Sequence, residues 1–543
     1  MVDALTKNVK HLIAALHLAG VNRFVLSPGS RSTPVALLLA EQAATDSDYK
    51  LFVDVDERSA AFFALGMAKV SQEPVAVLVT SGTAAAELMP AVAEANQAQI
   101  PLVLLTADRP QELQGLGAAQ TLPQSNLYGD LVDEVVTLNL QDPHPDMTAY
   151  IDFKVQTSVR AHQQKPGPIQ INLPLRKPLM PVLGDRETLN IQPVEYPINH
   201  WTYGQPIDPG FDQNRVLVLA GPNTGADYYQ ALNDFTQKYR VPVLADVLSR
   251  VRDQNSIYNF KGLLEAGLPA ELTPDLVLWF GALPTDPAIL AWLKTHQVTV
   301  WQVGPQAGQD PSRQVSRVYP GAVADFLNQV QGQPSQQQAT YYQSWQSWLG
   351  ELSLHQTGDD LARVVTALNN HSAADTLIFS ANSLAVRALN DYWAGSHSRL
   401  VYANRGVNGI DGVVSTALGA SLVHPGRTIL LIGDLTLFHD MNGLALVKKY
   451  GLNLDIVLVD NHGGGIFKNL PQGQAAEAQP YFEEVFGTPL DLDFKLVAQL
   501  YGLTYTDLER PADLGPALDQ QSDHARLLVL TTPDTKDLEE NYD

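Results

Sequence analysis

The sequence predicts an α/β protein built from three doubly wound parallel-sheet domains. Short runs rich in Val, Ile and Leu recur along the chain, each followed by a turn and a helix-like stretch. That alternation is the mark of parallel strands joined by helical crossovers. Two segments interrupt it: GPIQINLPLRKPLMP at 167–181, where prolines and basic residues gather, and the polar QVQGQPSQQQAT at 329–340. The 543 residues exceed one ordinary core but suit three domains of about 150–200 residues. The expected bounds are 1–181, 182–340 and 341–543.

The elements follow in order. MVDALTKNVKHLIAALHLAG reads as a helix with a short apolar face; without a basic leader or a small-residue cleavage pattern, no signal peptide is expected. NRFVLSPGSRSTPVALLLAEQ, KLFVDVDERSAAFFALGMAKV and EPVAVLVTSGTAAAELMPAVAEANQ each read strand, loop, helix, and IPLVLLTADRP ends a further strand in a polar loop. RVLVLAGPNTG, VPVLADV, DLVLWFG and VTVWQVG form a second series. DTLIFSANS, RLVYANRG, TILLIGD, LDIVLVDNHGGG and ARLLVLTT form the third. Ligands are expected beyond the carboxyl ends of such strands.

Composition narrows the function. Hydrophobic residues make up 45% and charged residues 17%, as in a packed globular protein, and no apolar run is long enough to span a membrane. The absence of cysteine excludes disulfides, thiolate metal sites and cysteine nucleophiles, and suits a cytoplasmic enzyme. With 35 Lys plus Arg against 58 Asp plus Glu, the formal charge is −23. Such a chain repels nucleic acid and anionic lipid. An anionic ligand must therefore be held by particular arginines or a metal ion, which draws attention to arginines in loops after strands.

The third series carries the most informative spacing. TILLIGD ends at Asp434 and LDIVLVDN at Asn461, with a helix-like DMNGLALVKKY between them. Parallel strands joined by a helix lie side by side, so Asp434 and Asn461 are expected together. A carboxylate, an amide oxygen and a backbone carbonyl from the glycine run that follows suit Mg²⁺, which fills its remaining positions with phosphate or water oxygens. Gly463-Gly464-Gly465 lets the backbone approach a ligand closely. His439-Asp440 lies where the next helix should begin, so Asp440 is expected to be that helix's N-cap and His439 a loop or core residue. A nucleotide-dependent oxidoreductase is the rival suggested by AGPNTG, but no GxGxxG follows any strand.

Gly433-Asp434, then 24 residues between Leu435 and Asp460, then Asp460-Asn461, resembles the thiamine-diphosphate signature. Leu435 stands in place of that signature's last glycine and Asp460 in place of its first asparagine. SPGSRSTP, DVDERSAAFFALG, TSGTAAAE and TADRPQELQGLGAAQT in the first domain, with ANSLAVR and YANRGVNGIDGVVSTALG in the third, closely resemble the 2-succinyl-5-enolpyruvyl-6-hydroxy-3-cyclohexene-1-carboxylate synthases of menaquinone biosynthesis. The middle domain adds little.

The resemblance implies a transferase in which the first domain binds the pyrimidine and the third the diphosphate of thiamine diphosphate. The cofactor then lies between two copies of the chain, in a homodimer or homotetramer. Asp434, Asn461 and the Gly463 carbonyl would hold Mg²⁺ or Mn²⁺. Pro28, Thr80, Gly82, Ser383, Asn408, Gly409, Ile410, Gly433, Leu435, Gly464, Gly465 and Ile466 would join them around the cofactor, with Ile410 keeping its two rings bent. Glu57 would hydrogen-bond the aminopyrimidine ring and share the proton that activation requires.

The implied substrates are 2-oxoglutarate and isochorismate, both dianions, for which guanidinium groups supply paired hydrogen bonds. Arg387 and Arg405, with Ser383, are expected on the donor. Arg31, Arg109 and Gln120, with Ser30 and Ser32, are expected on the acceptor, and Ile466 and Phe467 would line the pocket. Two departures touch substrate grip. Ala119 stands where the family has an asparagine, and the loop GALPTDPAI, with Asp286-Pro287, lacks the family's usual lysine. An acetolactate-synthase-type carboligase acting on pyruvate is the nearest alternative, and a non-catalytic protein retaining the fold is a further one. Arg250 and Arg252 leave any regulatory role of the middle domain open.

Overall fold

The Val-, Ile- and Leu-rich runs become the strands of three wholly parallel sheets in the computed structural model of the chain. It describes residues 3–532 other than 186–188, 198–199, 306, 352–358, 397 and 521. The first sheet contains β1 (Arg23–Leu26), β2 (Lys50–Val53), β3 (Val75–Val79), β4 (Leu102–Asp108), β5 (Glu134–Thr137) and β6 (Ile169–Pro174) in the order 2-1-3-4-6-5. The second contains β7 (Val216–Ala220), β8 (Val243–Ala245), β9 (Leu276–Phe280), β10 (Thr299–Val303) and β11 (Val315–Tyr319) in the order 11-10-9-7-8. The third contains β12 (Leu377–Ser380), β13 (Val401–Ala403), β14 (Thr428–Gly433), β15 (Asp455–Asp460), β16 (Thr504–Leu508) and β17 (Arg526–Thr531) in the order 13-12-14-15-17-16. The α/β class with three parallel sheets is thus as the sequence predicts.

The outer sheets share one strand order. In each, the first connection runs outward and the next returns across the starting strand, leaving a crevice at the carboxyl ends where the crossover direction reverses. The strands of these crevices are buried along almost their whole length, as helices on both faces require. The helix Gln336–Glu351 spans the bound expected at residue 340. Its Tyr341 and Trp345 pack with Trp279 and Trp292 on the middle sheet, so by packing this helix belongs there.

One hydrophobic core joins the two outer sheets. It runs from Val25, Val77 and Leu104 through Phe62 and Phe63 to Val414, Leu418, Leu430 and Ile456. The helices Glu57–Ser71 and Val413–Val423 cross within it at backbone contact. A Cβ on Gly66 would lie 2.0 Å from the Thr416 carbonyl oxygen, and one on Gly419 would lie 2.0 Å from that of Phe63. Only glycine permits this approach.

Asp440 does stand at the N-cap of the next helical turn, Met441–Leu444, as expected, but its side chain makes no cap bond there. His439 is exposed at the end of a short preceding helix. The helix after β14 starts at Asp434 itself and runs Asp434–His439, because Gly433 passes directly from strand to helix; Asp440 ends that helix and no side-chain cap bond forms. The Asp440 carboxylate instead accepts from the Ser415 amide at 2.7 Å and the Ser415 hydroxyl at 3.1 Å. It thereby caps the first turn of Val413–Val423 from a different loop. His439 receives Arg58 Nη2 on its carbonyl oxygen at 2.8 Å, which ties the loop to the first domain.

Burial pushes the Asp440 carboxyl up to about 7, against the Ser415 hydrogen bonds and Arg58, which lower it, and with Asp56 adding to the rise. An unfolded aspartate titrates near ~4, so the folded chain holds a proton that the unfolded chain releases. The stability carried by the neutral carboxyl is complete below about pH 4 and is lost as pH rises through about 7. Asp440→Asn keeps both Ser415 bonds without a charge and is expected to flatten this fall. Chemical denaturation of both proteins at pH 4.5 and pH 8 checks it; equal pH slopes would refute it.

Candidate functional site

A cavity of about 400 Å³ opens at the carboxyl ends of β12, β14 and β15. It gathers residues from four separate loops. Asn382, Ser383, Leu384 and Arg387 follow β12, and Arg405, Asn408 and Ile410 follow β13. Gly433, Asp434 and Leu435 follow β14, and Asn461, Gly463, Gly464, Gly465, Ile466 and Phe467 follow β15. Of the third-domain residues expected to touch cofactor, metal or substrate, only Gly409 is missing from this lining, and its carbonyl oxygen accepts from Asn382 Nδ2 at 2.7 Å just behind it.

Oxygen atoms converge at the floor. One terminal atom of the Asn461 amide lies 3.0 Å from the Gly463 carbonyl oxygen and 3.2 Å from Asp434 Oδ1. With the amide oxygen there, three oxygens face one another without a hydrogen between them, an arrangement that a small hard cation resolves. With nitrogen there, the amide donates to both, so the same cluster is self-satisfied without an ion. Asp434 is 3% exposed, and burial together with neighbouring Asp460 pushes its carboxyl up to about 6. A bound cation would reverse both pressures. The residues therefore fit a divalent ion, and among the described residues no cluster of three His, Cys, Asp or Glu competes with them.

The opposite wall is cationic. Arg387 Nη1 donates to the Ser383 carbonyl at 2.6 Å and Arg405 Nη1 to Asn382 Oδ1 at 3.0 Å. Neither guanidinium forms an ion pair among the described residues. Burial lowers the Arg405 pKa, and nearby Arg387 lowers it further. Two half-buried cations that oppose each other and form no ion pair among the described residues are poised for an anion, although Asp246 and Glu94 act on Arg405 in the opposite sense. Ser383 holds φ +64° and ψ −126°, a conformation that costs a non-glycine residue about 1–3 kcal/mol and is concentrated at functional sites. Asn382 was not singled out from sequence, although it stands inside ANSLAVR. Its side chain ties Arg405 to the carbonyls of Asn404 and Gly409.

The first-domain residues lie elsewhere. Arg31, Arg109, Ala118 and Ala119 line a second cavity of about 390 Å³ beyond the ends of β1, β4 and β6. The Nε atoms of Arg31 and Arg109 are buried there without hydrogen-bond partners among the described residues. Their other bonds are to carbonyls, Arg31 Nη1 to Leu175 at 2.6 Å and Arg109 Nη2 to Ala119 at 2.9 Å. Ser32 is buried and its hydroxyl donates to the Gly29 carbonyl at 3.0 Å, while Ser30 and Pro28 are exposed. Thr80 Oγ1 accepts from the Arg31 amide at 3.2 Å, Gly82 N donates to Gln124 Oε1 at 2.9 Å, and Gln120 Nε2 donates to the Ser81 carbonyl at 2.9 Å.

Arg176 and Lys177 also line this second cavity. In sequence, PLRKP read only as linker; the position of both residues just past β6 was the available signal. Arg176 pairs with Glu112, whereas Lys177 is exposed and has no ion-pair partner among the described residues.

Glu57 lines neither cavity. It is the first residue of Glu57–Ser71, whose N-cap Asp56 accepts from the amides of Arg58 at 3.0 Å and Ser59 at 3.1 Å. Next to it Val55 is 78% exposed. In the middle domain, Asp286 of the lysine-less loop caps its own helix through the Ala288 amide at 2.9 Å. Arg252 is buried and donates to the carbonyls of Asn390 and Trp393, both at 2.9 Å. It thus holds the far end of the helix Leu384–Tyr392, whose first turns carry Ser383 and Arg387.

Two family models match the chain: the thiamine pyrophosphate enzyme N-terminal TPP binding domain at residues 7–127, and the C-terminal TPP binding domain at residues 386–531. The chain is 49% identical to the 2-succinyl-5-enolpyruvyl-6-hydroxy-3-cyclohexene-1-carboxylate synthase of Leuconostoc citreum (strain KM20), over 97% of this chain and 96% of that protein. The synthase of the same name from Leuconostoc mesenteroides is likewise 49% identical over the same shares. That of Listeria monocytogenes serovar 1/2a is 37% identical over 97% of this chain and 94% of its own length.

Asp434→Ala removes the only carboxylate among the three converging groups. It is expected to abolish Mg²⁺-dependent binding of thiamine diphosphate, measured by calorimetry with and without the ion, while the fold is retained. Unchanged affinity would separate Asp434 from the metal.

Proposed function

Because the chain belongs to the family of 2-succinyl-5-enolpyruvyl-6-hydroxy-3-cyclohexene-1-carboxylate synthases, which are thiamine pyrophosphate enzymes, we propose that it decarboxylates 2-oxoglutarate and adds the resulting succinyl unit in a 1,4 sense to isochorismate, as a cytoplasmic step of menaquinone biosynthesis. The observation that carries this reading is the pairing, in one cavity, of the oxygen cluster at Asp434, Asn461 and Gly463 with the guanidinium groups of Arg387 and Arg405.

Bound thiamine diphosphate supplies a carbon nucleophile and a sink for the electrons released on decarboxylation. Asp434, Asn461 Oδ1 and the Gly463 carbonyl would hold Mg²⁺, which would supply positive charge for the diphosphate. Gly433, Leu435, Gly464, Gly465, Ile466, Asn408 and Gly409 would shape the groove, and Ile410 would support the cofactor from below. Arg387 and Arg405 grip the carboxylates of the oxoacid with paired hydrogen bonds, strengthened because the wall is desolvated. Ser383 orients the donor beside them, and Ile466 and Phe467 exclude water from that side.

The cavity draws no residue from the first sheet, and Glu57 stands at the start of its helix beside exposed Val55. These observations support an assembly of two or four copies in which Glu57, Pro28, Thr80 and Gly82 of one chain cover the cavity of another. Glu57 there would hold a proton for the aminopyrimidine of the cofactor. Arg31, Arg109 and Gln120, with Ser30 and Ser32, receive isochorismate. Lys177 adds a cation on that side, in keeping with the basic residue missing from the middle-domain loop.

Incubation of the chain with Mg²⁺, thiamine diphosphate, 2-oxoglutarate and isochorismate is expected to give the 1,4-adduct by mass spectrometry. Turnover of pyruvate in place of 2-oxoglutarate would instead support an acetolactate-synthase-type carboligase. Glu57→Gln is expected to retain cofactor affinity while exchange of the thiazolium C2 proton slows by about 100-fold or more. Exchange at the wild-type rate, followed by proton NMR in deuterium oxide, would remove Glu57 from that role.

A further inference from the structure

A buried ion pair sits where the first domain meets the loop that carries Arg405. Glu94, on the helix Met89–Ala98, is 1% exposed, and so is Lys69, near the end of Glu57–Ser71. Glu94 Oε1 accepts from the Gly406 amide at 3.0 Å and Oε2 from the Val407 amide at 2.9 Å. One carboxylate thus takes two consecutive backbone N–H groups of the third domain. Lys69 Nζ donates to Glu94 Oε1 at 3.3 Å, to the Ala403 carbonyl at 2.8 Å and to Asn404 Oδ1 at 2.7 Å. All three ammonium hydrogens find acceptors, two of them on the chain leading into the same loop. A Cβ on Gly406 would lie 2.7 Å from the Glu94 backbone oxygen, so helix and loop touch.

A buried charge pair of this kind is seldom retained for stability alone, since well-packed apolar side chains of like volume often do as well. Its geometry instead fixes a segment. The residues on either side of the clamped amides are Arg405 and Asn408, both facing the C-terminal cavity. From the cavity side the loop is tied through Asn382, which bonds the Asn404 and Gly409 carbonyls and Arg405 Nη1. Asn382 belongs to the third domain, whereas Glu94 and Lys69 belong to the first. The direction of the Arg405 guanidinium is therefore set jointly by two domains.

We propose that Glu94 is a positioning residue for substrate: neutralised by Lys69, its carboxylate clamps the Gly406 and Val407 amides and so holds Arg405 and Asn408 towards the cavity. This rests on the assignment of Arg405 to the carboxylate of the oxoacid. Without the clamp, the loop keeps its Asn382 bonds but gains freedom between residues 405 and 408, and Arg405 must be ordered when substrate binds.

The test uses the full chain as Glu94→Gln, which keeps size and one acceptor, and as the double variant Glu94→Gln/Lys69→Met. The second removes both buried charges and guards against misfolding from an unpaired ammonium. Amide hydrogen exchange is read by mass spectrometry over residues 404–408. The apparent KM for 2-oxoglutarate, kcat and the thiamine diphosphate Kd are measured with Mg²⁺ present. In both variants, exchange at Gly406 and Val407 is expected to accelerate and KM to rise by about tenfold or more, as for one lost charge-assisted hydrogen bond. The cofactor Kd is expected to stay within about twofold, as that ratio is under 0.5 kcal/mol. Unchanged exchange at those amides overturns the clamp. Faster exchange with KM unaltered overturns the positioning role and leaves a structural one. If wild-type protein fails to turn over 2-oxoglutarate, the substrate assignment falls and amide exchange alone decides the clamp.

Discussion

The organising contact of the molecule is the crossing of Glu57–Ser71 over Val413–Val423 with bare backbone at Gly66 and Gly419. Without side chains at the crossing, the two helices draw the outer sheets into one hydrophobic core. Several polar links depend on that closeness. Lys69 lies less than one helical turn beyond Gly66 and reaches the Ala403–Asn404 chain. Arg58, at the other end of the same helix, reaches the loop at His439. Asp440, in that loop, caps Val413–Val423 in turn. Each link is short only because the helices have no intervening side-chain layer.

This arrangement also accounts for the electrostatics. The chain is strongly acidic as a whole, yet its two crevices collect cations that form no ion pair among the described residues: Arg387 and Arg405 in one, Arg31, Arg109 and Lys177 in the other. Acidic residues act elsewhere, as helix caps such as Asp56, Asp286 and Asp359 or in surface pairs such as Glu112 with Arg176. The background field is overcome locally, because burial makes a short-range cation pair stronger than many screened surface charges. The middle domain takes part through Arg252, which grips the end of Leu384–Tyr392 opposite Arg387.

The legibility of the site in sequence follows from how its parts are built. Asp434 and Asn461 were readable because each sits one step past an apolar strand, with Gly463 two residues further on, and neighbouring parallel strands align their carboxyl ends. Ser383, Arg387, Arg405 and Ile410 were found through motif resemblance, and the fold brings them to the same cavity. Asp440 stands at the start of a helical turn as read, but local pattern cannot show that a further helix starts directly at Gly433-Asp434, nor that this carboxylate will cap a helix more than twenty residues earlier in the chain. Asn382, Lys177 and Glu94 were passed over for a similar reason. The partners of Asn382 and Glu94 lie far away in sequence or in another domain, and Lys177 was taken as linker because position past a strand alone does not show which cavity it joins.

By itself, then, the sequence determined the α/β class, the three parallel sheets, the family and the loops in which chemistry resides. Strand periodicity and strand-end polarity are local properties, written residue by residue. Tertiary structure decided which loops share a cavity, that the first-domain arginines form a separate one, and that a carboxylate on one domain bonds the backbone of another. Those outcomes depend on how helices cross and sheets stack. At Gly66 and Gly419 that geometry is set by the absence of side chains, a property whose consequence appears only when the two helices meet.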